Sequence, residues 1–285
     1  MIIPSNFIST QQLAKKFAAA AAVIIIIISC SSVESKSRWK TIGKGLFYAE
    51  IESPDKSFLG NSKASVLKID PDYFEFTLLC ASQHDNKRRT VDQWAEEFGL
   101  TAAINAGMYQ KDMSKNVGYM KNFSHINNSY FRKDYKSVFA FNPVNNTLKK
   151  VQILDKGCQD LKKSMKNYKT LIQNIRMIDC RQKNVWAQQD KKWSIAAIAV
   201  DKSGHVLFIH SRSPYSVHDF NNFLLKSGLN IYNAMYVEGG PEASLYISDK
   251  DVQIEKMGSY ETGFTEHNKN AVFWPIPNVI GIKKK

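Results

Sequence analysis

One stretch constrains this chain more than any other: Ala234-Met235-Tyr236-Val237-Glu238-Gly239-Gly240-Pro241-Glu242-Ala243-Ser244-Leu245-Tyr246. Its first four residues form a short apolar run of the kind that makes a buried strand. A carboxylate, two glycines and a proline end that run, and a second apolar run occupies residues 243–247. Glycine admits backbone conformations closed to other residues and lets a ligand approach the main chain. Proline then fixes the exit from the turn. The stretch predicts two strands joined by a tight turn, with Glu238 at a strand end beside bare backbone, where a site would be built. A plain turn with Glu238 facing water has the same composition.

A chain of 285 residues is long enough for one large domain or two small ones with a real core. Its 44% hydrophobic and 12% aromatic content argues for a globular protein and against disorder. The N-terminus reads differently. Lys15 and Lys16 precede the apolar run 17–28, too short for a comfortable membrane span but suited to the core of a secretory signal. Ile27-Ile28-Ser29-Cys30 resembles a bacterial lipobox, which implies cleavage before Cys30 and lipidation of its thiol. An uncleaved anchor or ordinary signal-peptidase cleavage is the alternative. The expected organisation is a lipoprotein-type signal over residues 1–29, a polar linker over 30–45 and a domain over 46–285. That places the protein in a bacterial cell envelope, on the periplasmic side, with the membrane as partner through the N-terminal lipid.

Residues 1–29 carry two lysines and no acid, so their removal takes the formal charge from +13 to +11. The basic residues are spread along the chain, with no aromatic ladder and no groove-entering motif, so nucleic acid is not the expected partner. Anionic glycans or envelope surfaces suit the charge, as does plain solvation. Cys80 shares a strand face with Phe74, Phe76 and Leu78 and reads as a core thiol. Cys158 and Cys180 could pair in an oxidising compartment, and their spacing fits no zinc pattern.

The mature chain reads mostly as short strands: a first one in which Phe47, Ala49 and Ile51 alternate, then 65–70, 73–81, and 100–105 ending at Asn105-Ala106-Gly107-Met108-Tyr109. Thr90-Val91-Asp92-Gln93 offers a capping box for a helix to Phe98, closed by Gly99. Residues 110–136 read as a polar loop too long for a simple connection. Hairpins are expected over 137–154 and 194–211, a short helix near 159–166, and a strand over 170–178 carrying Arg176. Ser216-Val217-His218-Asp219 caps a second main helix, and weak strands, 271–274 among them, lead to a basic tail. The fold class is therefore α+β, with a mixed, largely antiparallel sheet and a few flanking helices.

No Gly-x-Ser-x-Gly elbow, phosphate loop or His-Glu-x-x-His is present, and no carboxylate cluster suits two metals. His205 and His210 point to opposite strand faces and do not share a metal. Polar residues at strand ends remain: Asn105, Arg176, Arg212 and Glu238. An arginine between Ile175 and Met177 needs an anion or carboxylate to balance it.

Three blocks then occur in order: Ile104-Asn105-Ala106-Gly107-Met108-Tyr109, Gln173-Asn174-Ile175-Arg176-Met177 and Val237-Glu238-Gly239-Gly240-Pro241-Glu242-Ala243-Ser244. Together they resemble the phosphodiester glycosidase family, over roughly residues 47–274. The family more often has aspartate where this chain has Glu238, which keeps the charge and moves the oxygens. The resemblance implies hydrolysis of a sugar-1-phosphodiester or phosphorylated glycan. Glu238 would activate water or attack the anomeric carbon, Arg176 would hold the phosphate, and Asn105 would bind the sugar or orient water. Gly107, Met108, Tyr109, Arg212, Gly239, Gly240 and Ser244 would bind substrate, with the Gly239 and Gly240 amides receiving phosphate oxygens. No particular cofactor is implied, and a divalent cation is left open. Two other readings are a lipoprotein that binds anionic glycan without cleaving it and a metal-assisted phosphodiesterase.

Overall fold

Period-two patterning builds almost everything in this molecule. The computed structural model describes residues 38–285; the expected signal, Cys30 and the first half of the linker lie outside the described residues. Seventeen strands and three α-helices are present among the described residues, in three sheets.

The first sheet has seven strands: β1 (Lys40–Gly43), β2 (Leu46–Glu52), β3 (Lys63–Ile69), β11 (Arg176–Ile178), β12 (Trp193–Asp201), β13 (Val206–Tyr215) and β14 (Ile231–Gly239), ordered β1-β2-β3-β13-β12-β14-β11. The second runs β7-β6-β10-β8-β9, from β6 (Met120–Asn122), β7 (His125–Asn128), β8 (Ser137–Pro143), β9 (Val151–Asp155) and β10 (Tyr168–Asn174). The third runs β16-β15-β5-β17-β4, from β4 (Phe74–Cys80), β5 (Ala102–Asn105), β15 (Ser244–Asp249), β16 (Val252–Met257) and β17 (Asn278–Lys284). Every neighbouring pair in these sheets is antiparallel, so the expected mixed sheet gives way to a β-rich fold with few helices.

All three sheets bury one face in a shared core, where Phe76 of β4 meets Phe139 and Phe141 of β8 and Phe208 of β13. Each outer face takes a helix. α1 (Val91–Glu97), with the Thr90/Gln93 capping box, lays Val91 and Trp94 on the third sheet. α2 (Leu161–Met165) puts Leu161 on the second. α3 (Val217–Lys226), capped by Ser216, packs Phe220, Phe223 and Leu224 on the first.

Five expectations change. The strand expected over 170–178 is two, because the chain leaves the second sheet after Asn174 and enters the first at Arg176. The polar stretch 110–136 contains β6 and β7, whose Met120, Asn122, Asn127 and Asn128 are buried. The basic tail is a central strand: Val279, Ile280 and Ile282 pack between β4 and β5, and Lys284 turns out to meet Asp249. Residues 271–274 form no strand, and β1 draws the start of the sheet into the expected linker. Cys158 and Cys180 form a disulfide, and Cys80 is a buried core thiol, pushed up to about 12 by desolvation.

Candidate active site

β14 delivers Tyr236 and Glu238 to one cavity, because residues two apart on a strand share a face, and a bulge lies between them. Across from it, Ala197 pairs with Tyr236 and the adjacent Ala196 with Glu238, so Val237 is the extra residue. A bulge re-aims the side chains that flank it. Beyond Gly239 a 3-10 turn, Gly240–Glu242, leads into β15 and brings Glu242 to the same cavity. Its volume is about 490 Å³, within the range of small-molecule sites.

Three carboxyl groups face this space: Glu238, Glu242 and Glu261. The walls are Trp186, Trp193, Tyr236 and Tyr109, with Met108, Val117 and Ile175. Tyr236 contacts both indoles, at ring-centroid distances of 5.7 Å to Trp186 and 6.4 Å to Trp193. Burial, then the charge of Glu242, raises the Glu238 carboxyl well above the usual carboxylate range, although the Gly239 N–H donates to Glu238 Oε1 at 3.0 Å. Burial also raises Glu242 and Glu261, the latter against the charge of Lys191. The Tyr236 phenol is raised well above its ordinary value, first by burial and then by Glu238.

The glycine pair serves this crowding. Gly240 has φ +64°, and a Cβ there would run into the Glu261 carboxylate. A Cβ at Gly239 would meet the Tyr236 hydroxyl and the Trp193 indole. The two glycines thus admit side chains of the site itself, where phosphate oxygens were expected.

Several other residues hold the site from behind. Asn105, 1% exposed, accepts from the Ser244 N–H at 2.7 Å and donates to the Glu242 carbonyl at 3.0 Å. Both ends of its amide are occupied, so it braces the turn and does not line the cavity. Ser244 is buried, its hydroxyl donating to the same carbonyl. At Gly107 a side chain would collide with buried Asn116 and Asn174. The adjacent Met108 and Tyr109 do line the cavity, and Tyr109 donates a long hydrogen bond of 3.5 Å to Glu242. Arg212 donates to Asn268 Oδ1 and to the carbonyls of Met257, Asn268 and Asn270, clasping the loop that carries Glu261.

Arg176 departs furthest from expectation. It lies on the strand beside β14, paired with Met235, but its Nη1 donates to the buried Asp155 at 2.5 Å. Asp155 also accepts from the Gly157 and Cys180 amides. The guanidinium is therefore matched by a core carboxylate, and Arg176 does not line the cavity that holds Glu238. The arginine did need a carboxylate; no local pattern pointed to Asp155 as its partner.

The residues missed in the sequence are Trp186, Trp193, Tyr236, Glu242 and Glu261. Glu242 and Tyr236 sat inside the organising stretch itself. Trp193 opens β12, and Trp186 and Glu261 lie on loops whose path only the fold reveals. Trp186 is fixed by its carbonyl's contact with His218 Nδ1 at 2.7 Å and by its indole donating to Gln189. Among the described residues no group of three or more His, Cys, Asp or Glu is placed to hold a metal ion.

The fold resembles a hypothetical protein from Synechocystis, with a TM-score of 0.60 at 13% identity over 88% of this chain; the match spans 64% of that chain, less than two thirds of its length. It also resembles the zebrafish N-acetylglucosamine-1-phosphodiester alpha-N-acetylglucosaminidase catalytic domain auto-inhibited by its pro-peptide, with a TM-score of 0.53 at 14% identity over 90% of this chain and 86% of that one. No match is found among curated proteins. The phosphodiester glycosidase family model matches residues 98–283, from the end of α1 through β17, taking in Asn105, the cavity and the organising stretch. The chain belongs to the phosphodiester glycosidase family.

Proposed function

We propose that this protein hydrolyses a sugar-1-phosphodiester, releasing free sugar and leaving a phosphomonoester. The supporting observation is the meeting of Glu238, Glu242 and Glu261 in one aromatic-walled cavity of a phosphodiester glycosidase. Ordinary glycosides need a carboxylic acid to protonate a poor alkoxide leaving group. A phosphomonoester leaves more readily, its second pKa being near ~6, so one reacting carboxylate suffices. Glu238 fills that role. Its raised basicity brings it toward the pH at which a general base works best.

In the proposed step the Glu238 carboxylate takes a proton from water as the water oxygen bonds to the anomeric carbon. The C–O bond to the phosphate breaks, and its electron pair leaves with the phosphate oxygen. The sugar ring lies against Trp186, Trp193 and Tyr236. With Arg176 committed to Asp155, the phosphate stays at the mouth, where the charges of Lys191 and Arg88 act on Glu261 and Tyr109. The cell-envelope setting and lipid anchor belong to the same proposal and rest on the sequence around Cys30.

Hydrolysis in oxygen-18 water tests the reaction. Label in the sugar is expected; label in the phosphate would mean P–O cleavage and sink the proposal. Glu238→Gln, checked for fold by circular dichroism, should lose about 10²–10⁴ in kcat. Ligand protection without any sugar release would leave a glycan-binding protein instead.

A further inference from the structure

The proposed reaction needs one carboxylate, and the cavity has three. None of its lining residues is a lysine or arginine. Around the carboxyls stand two indoles and two phenols, rings whose negative faces attract a cation. Carboxylates beneath aromatic walls form a cage for an ammonium group. An anionic sugar brought among the same groups would meet like charge on several sides, at close range and away from bulk water.

A second feature points to a hydroxylated ligand. The Trp193 indole N–H is buried in this wall and makes no well-formed hydrogen bond, interacting only with the Tyr236 hydroxyl. The Tyr236 hydroxyl lies beside it over Gly239, on a side chain 5% exposed. A buried donor without a well-placed acceptor is costly, and a sugar hydroxyl oxygen would satisfy it. The cavity therefore offers a donor to the sugar's oxygens and acceptors to a positive charge. Phosphate, by contrast, finds no cation inside, which keeps it at the mouth.

We propose that the sugar bound in this cavity is an amino sugar with a free ammonium group, held by Glu242 and Glu261 against the faces of Trp186 and Tyr236. The proposal rests on the hydrolase reading for the place of the sugar, and adds its charge. Glu261 is then a specificity residue: it comes from a separate loop, and Gly240 leaves room for its carboxylate.

The test compares the full chain acting on methyl phosphodiesters of glucosamine, N-acetylglucosamine, glucose and glucuronic acid, each linked through the anomeric oxygen. The glucosamine ester should have the highest kcat/KM, by roughly tenfold over the neutral sugars, with the glucuronate ester the poorest. Glu261→Gln should shrink the preference for glucosamine chiefly through KM. A kcat/KM for the N-acetylated or plain sugar equal to or above that for glucosamine would overturn the inference. Calorimetric titration of the free sugars is the independent arm. If no ester is cleaved but glucosamine binds more tightly than glucose and N-acetylglucosamine, the charge inference stands and the hydrolase reading falls. Titration without that order overturns the inference whatever the turnover.

Discussion

The side-chain amide of Asn105 spans the turn that positions Glu242, accepting from the Ser244 amide at 2.7 Å and donating to the Glu242 carbonyl at 3.0 Å. One buried side chain at the end of β5 thereby ties the third sheet to the turn after β14. Asn105→Ala leaves a buried N–H unpaired and removes a bond from a carbonyl that Ser244 also holds. An orphaned buried group costs about 1–3 kcal/mol. The expected outcome is a loss of that order in chemical denaturation, with a larger proportional fall in activity because Glu242 loses its register. Full activity in a folded Asn105→Ala protein would show that the brace is dispensable.

Arg176 and Asp155 make a second prediction, with stability as the readout. Asp155 is buried to 1% side-chain exposure and Arg176 to 12%. Removing one partner of a buried pair leaves an uncompensated charge, typically worth about 3–5 kcal/mol. Arg176→Ala should therefore lower the midpoint of urea unfolding substantially, and Arg176→Ala/Asp155→Asn should recover part of the loss. A phosphate-holding arginine would behave otherwise, raising KM for the phosphodiester at nearly unchanged stability.

The contrast between these residues shows what the sequence disclosed. Strand and helix periodicity located the hairpins, the capped helices and the strand that ends in Glu238, because those signals are local. It did not show that the chain changes sheets between Asn174 and Arg176, since both halves are equally apolar. Glu238 and Gly239 were legible as candidates from their place at a strand end, Met108 and Tyr109 only through the resemblance to the family, and all four line the cavity. Asn105, Gly107 and Ser244 lie close behind it, where they shape the turn and the loop. Glu261 was invisible because the loop after β16 has no pattern that fixes its path. Arg212 fixes that path from 45 to 58 residues away in sequence.

The clustered carboxyls set a pH dependence whose sign can be derived. Glu238, Glu242 and Glu261 all have folded-state values raised above the unfolded one, burial being the first cause for each. The folded state thus holds protons that the unfolded chain releases. Their contribution to stability is fully present below the ordinary glutamate range and is lost as pH rises through the raised values. His210 works in the opposite direction: burial lowers it to about 3, so its contribution is lost as pH falls from about 6.5 toward that value. The carboxyl effect is best isolated as a difference. Glu261→Gln should raise the melting temperature relative to the parent at pH 8, with the gain shrinking toward pH 4. A gain that grew toward acid pH would contradict the assignment.

Arg212 is the remaining handle on the site. Its guanidinium reaches three backbone carbonyls and one side-chain amide of the segment from Met257 to Asn270. The same segment is tied to β12, where Ser194 N–H donates to the Tyr260 carbonyl and Thr262 N–H to that of Lys192. Arg212→Ala should therefore loosen the far half of the loop, around residues 266–270, while the half nearer Glu261 keeps its sheet contacts. Hydrogen exchange should quicken at Asn270, whose N–H donates to Ser259 Oγ, with the amides of β12 and β14 unchanged. Activity should fall by less than for Glu238→Gln, because the reacting carboxylate stays in place. Arg212→Lys should restore little, since a single ammonium cannot reach the several acceptors that the planar guanidinium spans. An exchange pattern unchanged at Asn270 would mean that β12 alone holds the loop and that Arg212 adds only surface charge.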